Sequence, residues 1–231
     1  MTKAVQVVGF KNSGKSTLIR ELSERLREKG RVVTVIKNAH EQLALNDKDR
    51  EMSESCDRYI LASSSLTVIY VSREYKMLQL LASSEGDFVI LEGFKEKNYM
   101  PRIVCLNDDG EKEKLADGTE IAFWKKEDGG DPKKLDELAE IADKKGFLVA
   151  GLDCGECGHP GCAGLVKEIL SEKKSLANCL PLSQKTTVEV NGAKVPLSPF
   201  VAEILKETFC GFVKSLKGTT RGEVTVKFDL K

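Results

Sequence analysis

Apolar residues fall in short blocks along this chain, and each block follows one of two periods. Val5 to Val8 is a mostly apolar run that predicts a first, buried strand. Leu18, Leu22 and Leu26, with Ile19 beside them, recur at helical spacing within Ser16 to Lys29, and Gly30 follows as a C-terminal cap. Val32 to Ile36 and Leu66 to Val71 are two further apolar runs. Met77, Leu78, Leu80 and Leu81 predict a helix, and Phe88 to Leu91 the next strand. Ile103 to Leu106 and Ile121 to Trp124 predict later strands. Asp131-Pro132 then opens a helix on which Leu135, Leu138 and Ile141 share a face, with proline where its missing N–H costs nothing. Strands alternating with helices predict an α/β fold: a mostly parallel sheet with helices on both faces.

The style changes near residue 150. Cysteine and glycine cluster from Gly151 to Cys162, and a helical stretch runs from Ala163 to Lys174. After Pro181, Thr186 to Val190 and Ala193 to Val195 flank Asn191-Gly192, a strong hairpin signal. Ser198-Pro199 opens a helix through Leu205 and Phe209, and the alternation of Glu223 to Leu230 predicts a closing strand. Three parts follow: a nucleotide-binding domain over 1–150, a small Cys-rich subdomain over 151–183 and a small α+β subdomain over 184–231.

The first strand leads directly into Gly9-Phe10-Lys11-Asn12-Ser13-Gly14-Lys15-Ser16, which fits the phosphate-binding loop of P-loop nucleoside triphosphatases. Glycines at 9 and 14 let backbone N–H groups converge on phosphate oxygens, and the helix that starts there adds a favourable dipole. Lys15 supplies a point charge to the β and γ phosphates, and the Ser16 hydroxyl can ligate Mg²⁺. Lys11, Asn12, Ser13 and Thr17 complete the candidate cradle. The other Mg²⁺-linked group belongs at the end of a neighbouring strand, and Asp87-Phe88-Val89-Ile90-Leu91-Glu92-Gly93 offers Glu92 there. Asp87 precedes that strand and sits at the wrong end of the sheet. Lys37 to Arg58 follows the second strand and faces the γ-phosphate side, at the carboxyl ends of the strands. It reads as a polar loop holding His40, Asp47, Lys48 and Asp49, of which His40 is the first candidate to position water. Asn107-Asp108-Asp109 resembles a guanine reader but lacks its lysine, so the motifs alone leave GTP and ATP open.

Composition narrows the picture. Lys plus Arg equals Asp plus Glu at 36 each in 231 residues, so no net field favours nucleic acid or lipid. No apolar run is long enough to span a bilayer, and no leader precedes the first strand, which together predict a cytoplasmic protein. Seven cysteines then read as metal ligands or buried thiols rather than disulfides. Cys154, Cys157 and Cys162 lie within nine residues, and Cys179 follows after sixteen more. Four thiolates suit either a [4Fe–4S] cluster or tetrahedral zinc. Only one C-x-x-C pair is present, where zinc ribbons use two, and this favours iron–sulfur. His159 reads as a neighbour of that centre. Cys56, Cys105 and Cys210 read as buried thiols.

Two resemblances arise at these residues. Val8-Gly9-Phe10-Lys11-Asn12-Ser13-Gly14-Lys15-Ser16-Thr17-Leu18, Val35-Ile36-Lys37 with His40, Asp87 to Lys95 and Pro101-Arg102-Ile103 together resemble the molybdopterin-guanine dinucleotide biosynthesis protein B family. That resemblance implies a GTP-binding, often dimeric, slowly hydrolysing P-loop protein. Such a protein assists the guanylyltransferase that attaches GMP to molybdopterin, or the molybdoenzyme downstream. The chain departs from the family pattern where Ala62-Ser63-Ser64 stands in place of Ala-Gly-Ala. Cys154 to Leu182 resembles the small [4Fe–4S] domain of corrinoid iron–sulfur proteins, which implies electron transfer or structural organisation by a cluster. A nucleotide-gated electron-transfer protein that activates a metalloenzyme is the alternative function.

Overall fold

The computed structural model describes residues 2–39, 47–71, 75–190, 193–218 and 222–227. Among these, five strands build one parallel sheet: β1 (Lys3–Gly9), β2 (Val33–Lys37), β5 (Phe88–Glu92), β6 (Arg102–Leu106) and β7 (Glu120–Lys125), in the order β2-β5-β1-β6-β7. The two remaining strands of the first half, β3 (Arg58–Ala62) and β4 (Thr67–Val71), stand apart as an antiparallel hairpin.

Every residue of β5 and β6 is buried, so both faces of the sheet must be covered. The strands alternate between two cores. Val5, Val7, Phe88 and Ile90 point to one face, where α1 (Lys15–Glu28) supplies Leu18, Leu22 and Leu26, and α5 (Pro132–Lys145) supplies Leu135 and Leu138. Ala4, Val89 and Leu91 point to the other face. There they meet Leu81 of α3 (Met77–Ala82) and Leu165 and Val166 of α6 (Cys162–Leu170). α4 (Lys112–Leu115) adds Leu115 to a satellite cluster with Val8 and Val104. The predicted α/β fold with helices on both faces is present. The Cys-rich segment is packed into it: burying Leu165 and Val166 under the sheet contributes about 2 kcal/mol each.

Helix boundaries follow local chemistry. Asp131 accepts from the Lys133 N–H at 3.0 Å and Pro132 takes the first turn of α5, as predicted. Gly30 takes φ +83° just after α1, the left-handed conformation that a C-terminal cap requires. α6 ends at Leu170 rather than Lys174, because Glu172 turns left-handed (φ +61°) and the Lys173 N–H returns to the Glu168 carbonyl. Beyond α7 (Leu180–Ser183), the expected hairpin forms between β8 (Val188–Val190) and β9 (Ala193–Val195), and α8 (Pro199–Lys214) follows, capped by Ser198.

Four expectations need correction. Leu66 to Val71 does not join the parallel sheet. It is reached from β3 by a tight turn, closed by Ser63 N–H to the Leu66 carbonyl at 2.8 Å, and so short a link permits only antiparallel pairing. The polar stretch after β2 is not all loop, because α2 (Asp47–Glu54) forms there. Residues 223–227 alternate in polarity but are exposed and form no strand, since alternation makes a strand only where an edge and a core receive it. Cys105 is buried as expected, whereas Cys56 and Cys210 are only half-buried.

Candidate functional site

The loop after β1 is shaped by close approach and by left-handed backbone. A Cβ on Gly9 would lie 2.6 Å from the Cys105 carbonyl oxygen and 2.4 Å from Ser13 Oγ, so only glycine fits. Asn12 (φ +65°) and Gly14 (φ +82°) are left-handed, which turns successive amides toward one concavity. Three donors converge on the Phe10 carbonyl: the Ser13 N–H at 3.4 Å, the Ser13 hydroxyl at 3.0 Å and Lys15 Nζ at 2.6 Å. Ser13 is buried within the loop, while Lys11, Asn12, Ser16 and Thr17 lie on its exposed surface. Partial burial lowers the pKa of Lys15, so its ammonium gains from a polyanion that replaces lost water.

β5 brings Glu92 to this loop. Because β1 and β5 are adjacent and parallel, their carboxyl ends coincide. The Ser16 hydroxyl donates to Glu92 Oε1 at 3.2 Å. The predicted pair therefore stands together, one oxygen from the loop helix and one from the strand end. Asp87 lies at the opposite end of β5, bonded to Arg31 at 3.0 Å and to the Val32 N–H at 2.8 Å, as expected. Asn107 is committed to the loop scaffold: its amide donates to the Lys11 carbonyl at 3.4 Å and to Glu111 at 2.9 Å. His40 lies outside the described residues, as do the side chains of Asp47 and Lys48. Asp49 accepts from the Tyr59 hydroxyl at 3.1 Å.

Lys37, named in the sequence only as the start of the segment after β2 and within Val35-Ile36-Lys37, also reaches this pair. Its ammonium sits 3.3 Å from Glu92 Oε1 and 3.4 Å from Ser16 Oγ. The available signal was its place as the last residue of an apolar strand, at the same end as Glu92.

The four cysteines Cys154, Cys157, Cys162 and Cys179 line one small pocket. Ala150, Leu152, Leu165 and Pro181 complete its apolar wall. Among the described residues no three His, Cys, Asp or Glu side chains close on one point as a single-ion site. Gly155 (φ +78°) and Gly158 (φ +86°) make the tight wrapping between the cysteines. Burial pushes the Cys162 thiol up to about 11. His159 is beside the pocket, as expected, bonded to Glu168 at 2.9 Å, and Lys174 donates to the Cys157 carbonyl at 3.0 Å. The donor set suits a thiolate-bound iron–sulfur group, for which these four residues would be the ligands.

The two sites share one connecting segment. Gly93 and Phe94, immediately after Glu92, take left-handed φ values of +86° and +50°. Phe94 packs against the core cluster that also holds Cys179, with Cys157 and Cys162 at its margin. Tyr99 accepts from the Val149 N–H at 2.9 Å, and its ring lies so close to Gly151 that a Cβ there would come within 2.9 Å.

Comparison with known proteins matches both segments of the chain. The family model "Molybdopterin guanine dinucleotide synthesis protein B" (MobB) matches residues 4–124, and one described as "Putative Fe-S cluster" matches residues 150–181. A Methanocaldococcus jannaschii relative named "Putative molybdopterin-guanine dinucleotide biosynthesis adapter protein" is 29% identical over 238 residues, covering 99% of this chain and 97% of its own. A Bacillus subtilis relative, "Probable molybdopterin-guanine dinucleotide biosynthesis adapter protein", is 31% identical over 120 residues, 48% of this chain and 69% of its own. The crystal structure of Bacillus subtilis MobB superposes with a TM-score of 0.50 at 26% identity, over 60% of this chain and 97% of that one. No helix among the described residues is long and apolar enough to cross a membrane. Since the MobB match takes in more than half of the chain, the protein belongs to the MobB family.

Proposed function

We propose that this chain is a GTP-binding adapter for molybdopterin guanine dinucleotide synthesis, a slow GTPase that also carries a [4Fe–4S] cluster. Gly9, Lys11, Asn12, Ser13, Gly14, Lys15, Ser16 and Thr17 cradle the phosphates. Ser16 and Glu92 hold Mg²⁺, directly or through its water, and Lys15, Glu92 and His40 carry the hydrolytic step. Residues 1–150, 151–183 and 184–231 are its functional parts. Its partner is the guanylyltransferase of this synthesis or the enzyme that receives the product, and it works in the cytoplasm as a homodimer. The observation that carries the nucleotide reading is the 3.2 Å contact of Ser16 with Glu92 at the mouth of a strained glycine loop. Guanine in place of adenine rests on the family likeness.

For the second site, the match of residues 150–181 to the model described as "Putative Fe-S cluster" supports a cluster over zinc, as does the single C-x-x-C pair where zinc ribbons use two. When bound, the cluster would supply one-electron chemistry. One calorimetric experiment tests the nucleotide reading: with Mg²⁺, GTP should bind and ATP should bind at least tenfold more weakly. Equal affinities would remove the guanine assignment, and no heat from either would remove the nucleotide reading itself.

A second reading, nucleotide-gated electron transfer, is supported by the segment from Gly93 to Tyr99, which leaves the Mg²⁺ side of the loop and ends against the cysteine pocket. A cluster potential that shifts when nucleotide is added would favour it.

A further inference from the structure

We infer that Lys37 distinguishes a nucleoside triphosphate from a diphosphate, its ammonium moving from the Ser16–Glu92 pair to the terminal phosphate as Mg²⁺ takes its place. The inference rests on the nucleotide reading above. Three atoms form a small triangle: Ser16 Oγ to Glu92 Oε1 is 3.2 Å, Lys37 Nζ to Glu92 Oε1 is 3.3 Å, and Lys37 Nζ to Ser16 Oγ is 3.4 Å. The ammonium therefore rests on the same two oxygens that the loop offers to a divalent cation. β2 and β5 are parallel and in register, with Lys37 directly opposite Glu92, so the backbone fixes this meeting.

Both cations cannot hold those oxygens. Mg²⁺ demands oxygen ligands at about 2.0–2.1 Å in near-octahedral geometry. A lysine nitrogen bonded to the same atoms would then lie a few ångströms from a double positive charge, and Coulomb repulsion expels it. The side chain is free to leave: Lys37 is 55% exposed, whereas Glu92 is 10% exposed. Its tether sets where it can go. In the strand order β2-β5-β1, Lys37 reaches the Mg²⁺ position from the side away from the phosphate loop. The α and β phosphates lie against that loop, where Lys15 already stands. The γ-phosphate is the anion that extends beyond them toward β2. The other nearby lysines are placed elsewhere: Lys95 stacks over the Phe10 ring at 4.2 Å, and the Lys126 side chain lies beside Gly14. A diphosphate leaves the displaced ammonium in water with no new partner, so Lys37 contributes to triphosphate affinity alone.

Calorimetry with Mg²⁺, GDP and a non-hydrolysable GTP analogue tests this on the full chain and on Lys37→Met. The variant should bind the triphosphate analogue about tenfold or more weakly, the weight of a charge-assisted bond to phosphate, while its GDP affinity does not fall. Lys37→Arg keeps charge and reach and should retain the discrimination. Equal losses for both nucleotides, or no loss for either, would overturn the role of Lys37 while the nucleotide reading stands. If the unaltered chain binds neither nucleotide, the nucleotide reading fails and this inference goes with it.

Discussion

Arg102 Nε donates to Gln6 Oε1 at 3.0 Å, joining two side chains that face each other in register on adjacent strands, β6 and β1. Both are buried, Gln6 fully and Arg102 to within 4%. A polar pair in the middle of a sheet costs solvation and persists only if every polar atom finds a partner. Here they do. The Gln6 amide donates to the Gly93 and Phe94 carbonyls, each at 2.7 Å, and Arg102 reaches Asp117 at 2.8 Å as well as Asn98 and the Lys95 carbonyl. The pair therefore fixes the segment that leaves Glu92 toward the cysteine pocket.

Removing the guanidinium strands these partners. Arg102→Met should destabilise the fold by about 3 kcal/mol, because it leaves the buried Gln6 carbonyl oxygen without a donor and removes the ion pair to Asp117, which keeps only its bonds from Thr119. For a chain of this size that is a fall in melting temperature of roughly 6–12 °C. Arg102→Lys should recover less than half, since one ammonium cannot replace a five-donor fork. Thermal unfolding followed by circular dichroism decides it. A loss below 1 kcal/mol would show that the network adds little.

Gly9 tests the loop by close approach rather than by conformation. A methyl group there meets the Cys105 carbonyl and Ser13 Oγ at distances no packed Cβ tolerates, and Cys105 belongs to a strand that cannot yield. Gly9→Ala should move the loop off β6 and cut GTP affinity at least tenfold, and Gly211→Ala provides a comparison with open space around it. Binding of labelled GTP to both variants is the measurement. Unchanged affinity in Gly9→Ala would mean that the cradle does not depend on this contact.

How much of this was legible beforehand depended on the range of the forces involved. The glycine turn from β1 into α1, the parallel strands and the cap at Asp131 are set by neighbours within a few residues, and each forms where the sequence predicts it. The pairing of Ser16 with Glu92 was also legible, because a parallel sheet places all strand ends on one edge. The hairpin of β3 and β4 was half-read: Arg58–Ala62 mixes charge and apolar residues, and its partner decides its state. The contact of Lys37 with Glu92 is not legible in the sequence, because it joins two strand ends distant along the chain. The role of Gln6 is hidden for the same reason, since nothing local says that a polar residue inside an apolar run will meet a buried arginine.

Arg31 ties the start of β5 to the end of α5 and makes the fold acid-sensitive. It donates to Asp87 at 3.0 Å and to Asp143 at 2.8 Å. The hydrogen bond from Arg31, then one from the Val32 N–H, lowers the pKa of Asp87. Burial alone would raise that of Asp143, but the bonds from Arg31 and Lys3 outweigh it and lower it. A carboxylate with a depressed folded pKa stabilises the fold above its unfolded value, near 4, and this contribution fades as pH drops through the folded value. Arg31→Met should therefore be less stable than the unaltered chain at pH 7, with a gap that narrows steadily below pH 4. Urea midpoints across that range measure the gap. A constant gap would place the Arg31 contribution in packing instead.

Cys179 and Cys105 are both buried cysteines, in different surroundings. Cys179 stands at the rim of the pocket with Cys154, Cys157 and Cys162, where a thiolate can be stabilised by iron. Cys105 lies on β6 in the core that α1 and α5 cover, and burial pushes its thiol up to about 12, so it keeps its proton at any working pH. Its stabilising contribution persists up to its unfolded pKa, near 9, and is lost only as pH rises toward 12. Cys105→Ala should lower stability by about 1–2 kcal/mol through lost packing, yet leave metal content unchanged. Cys179→Ser should do the reverse in kind: the chain purified without oxygen should hold about four iron and four sulfide, and the variant less than half of each. Iron and sulfide assays beside the visible absorption spectrum give both readings. A colourless unaltered chain with one zinc, or equal iron in both variants, would end the assignment of a cluster to these four thiols.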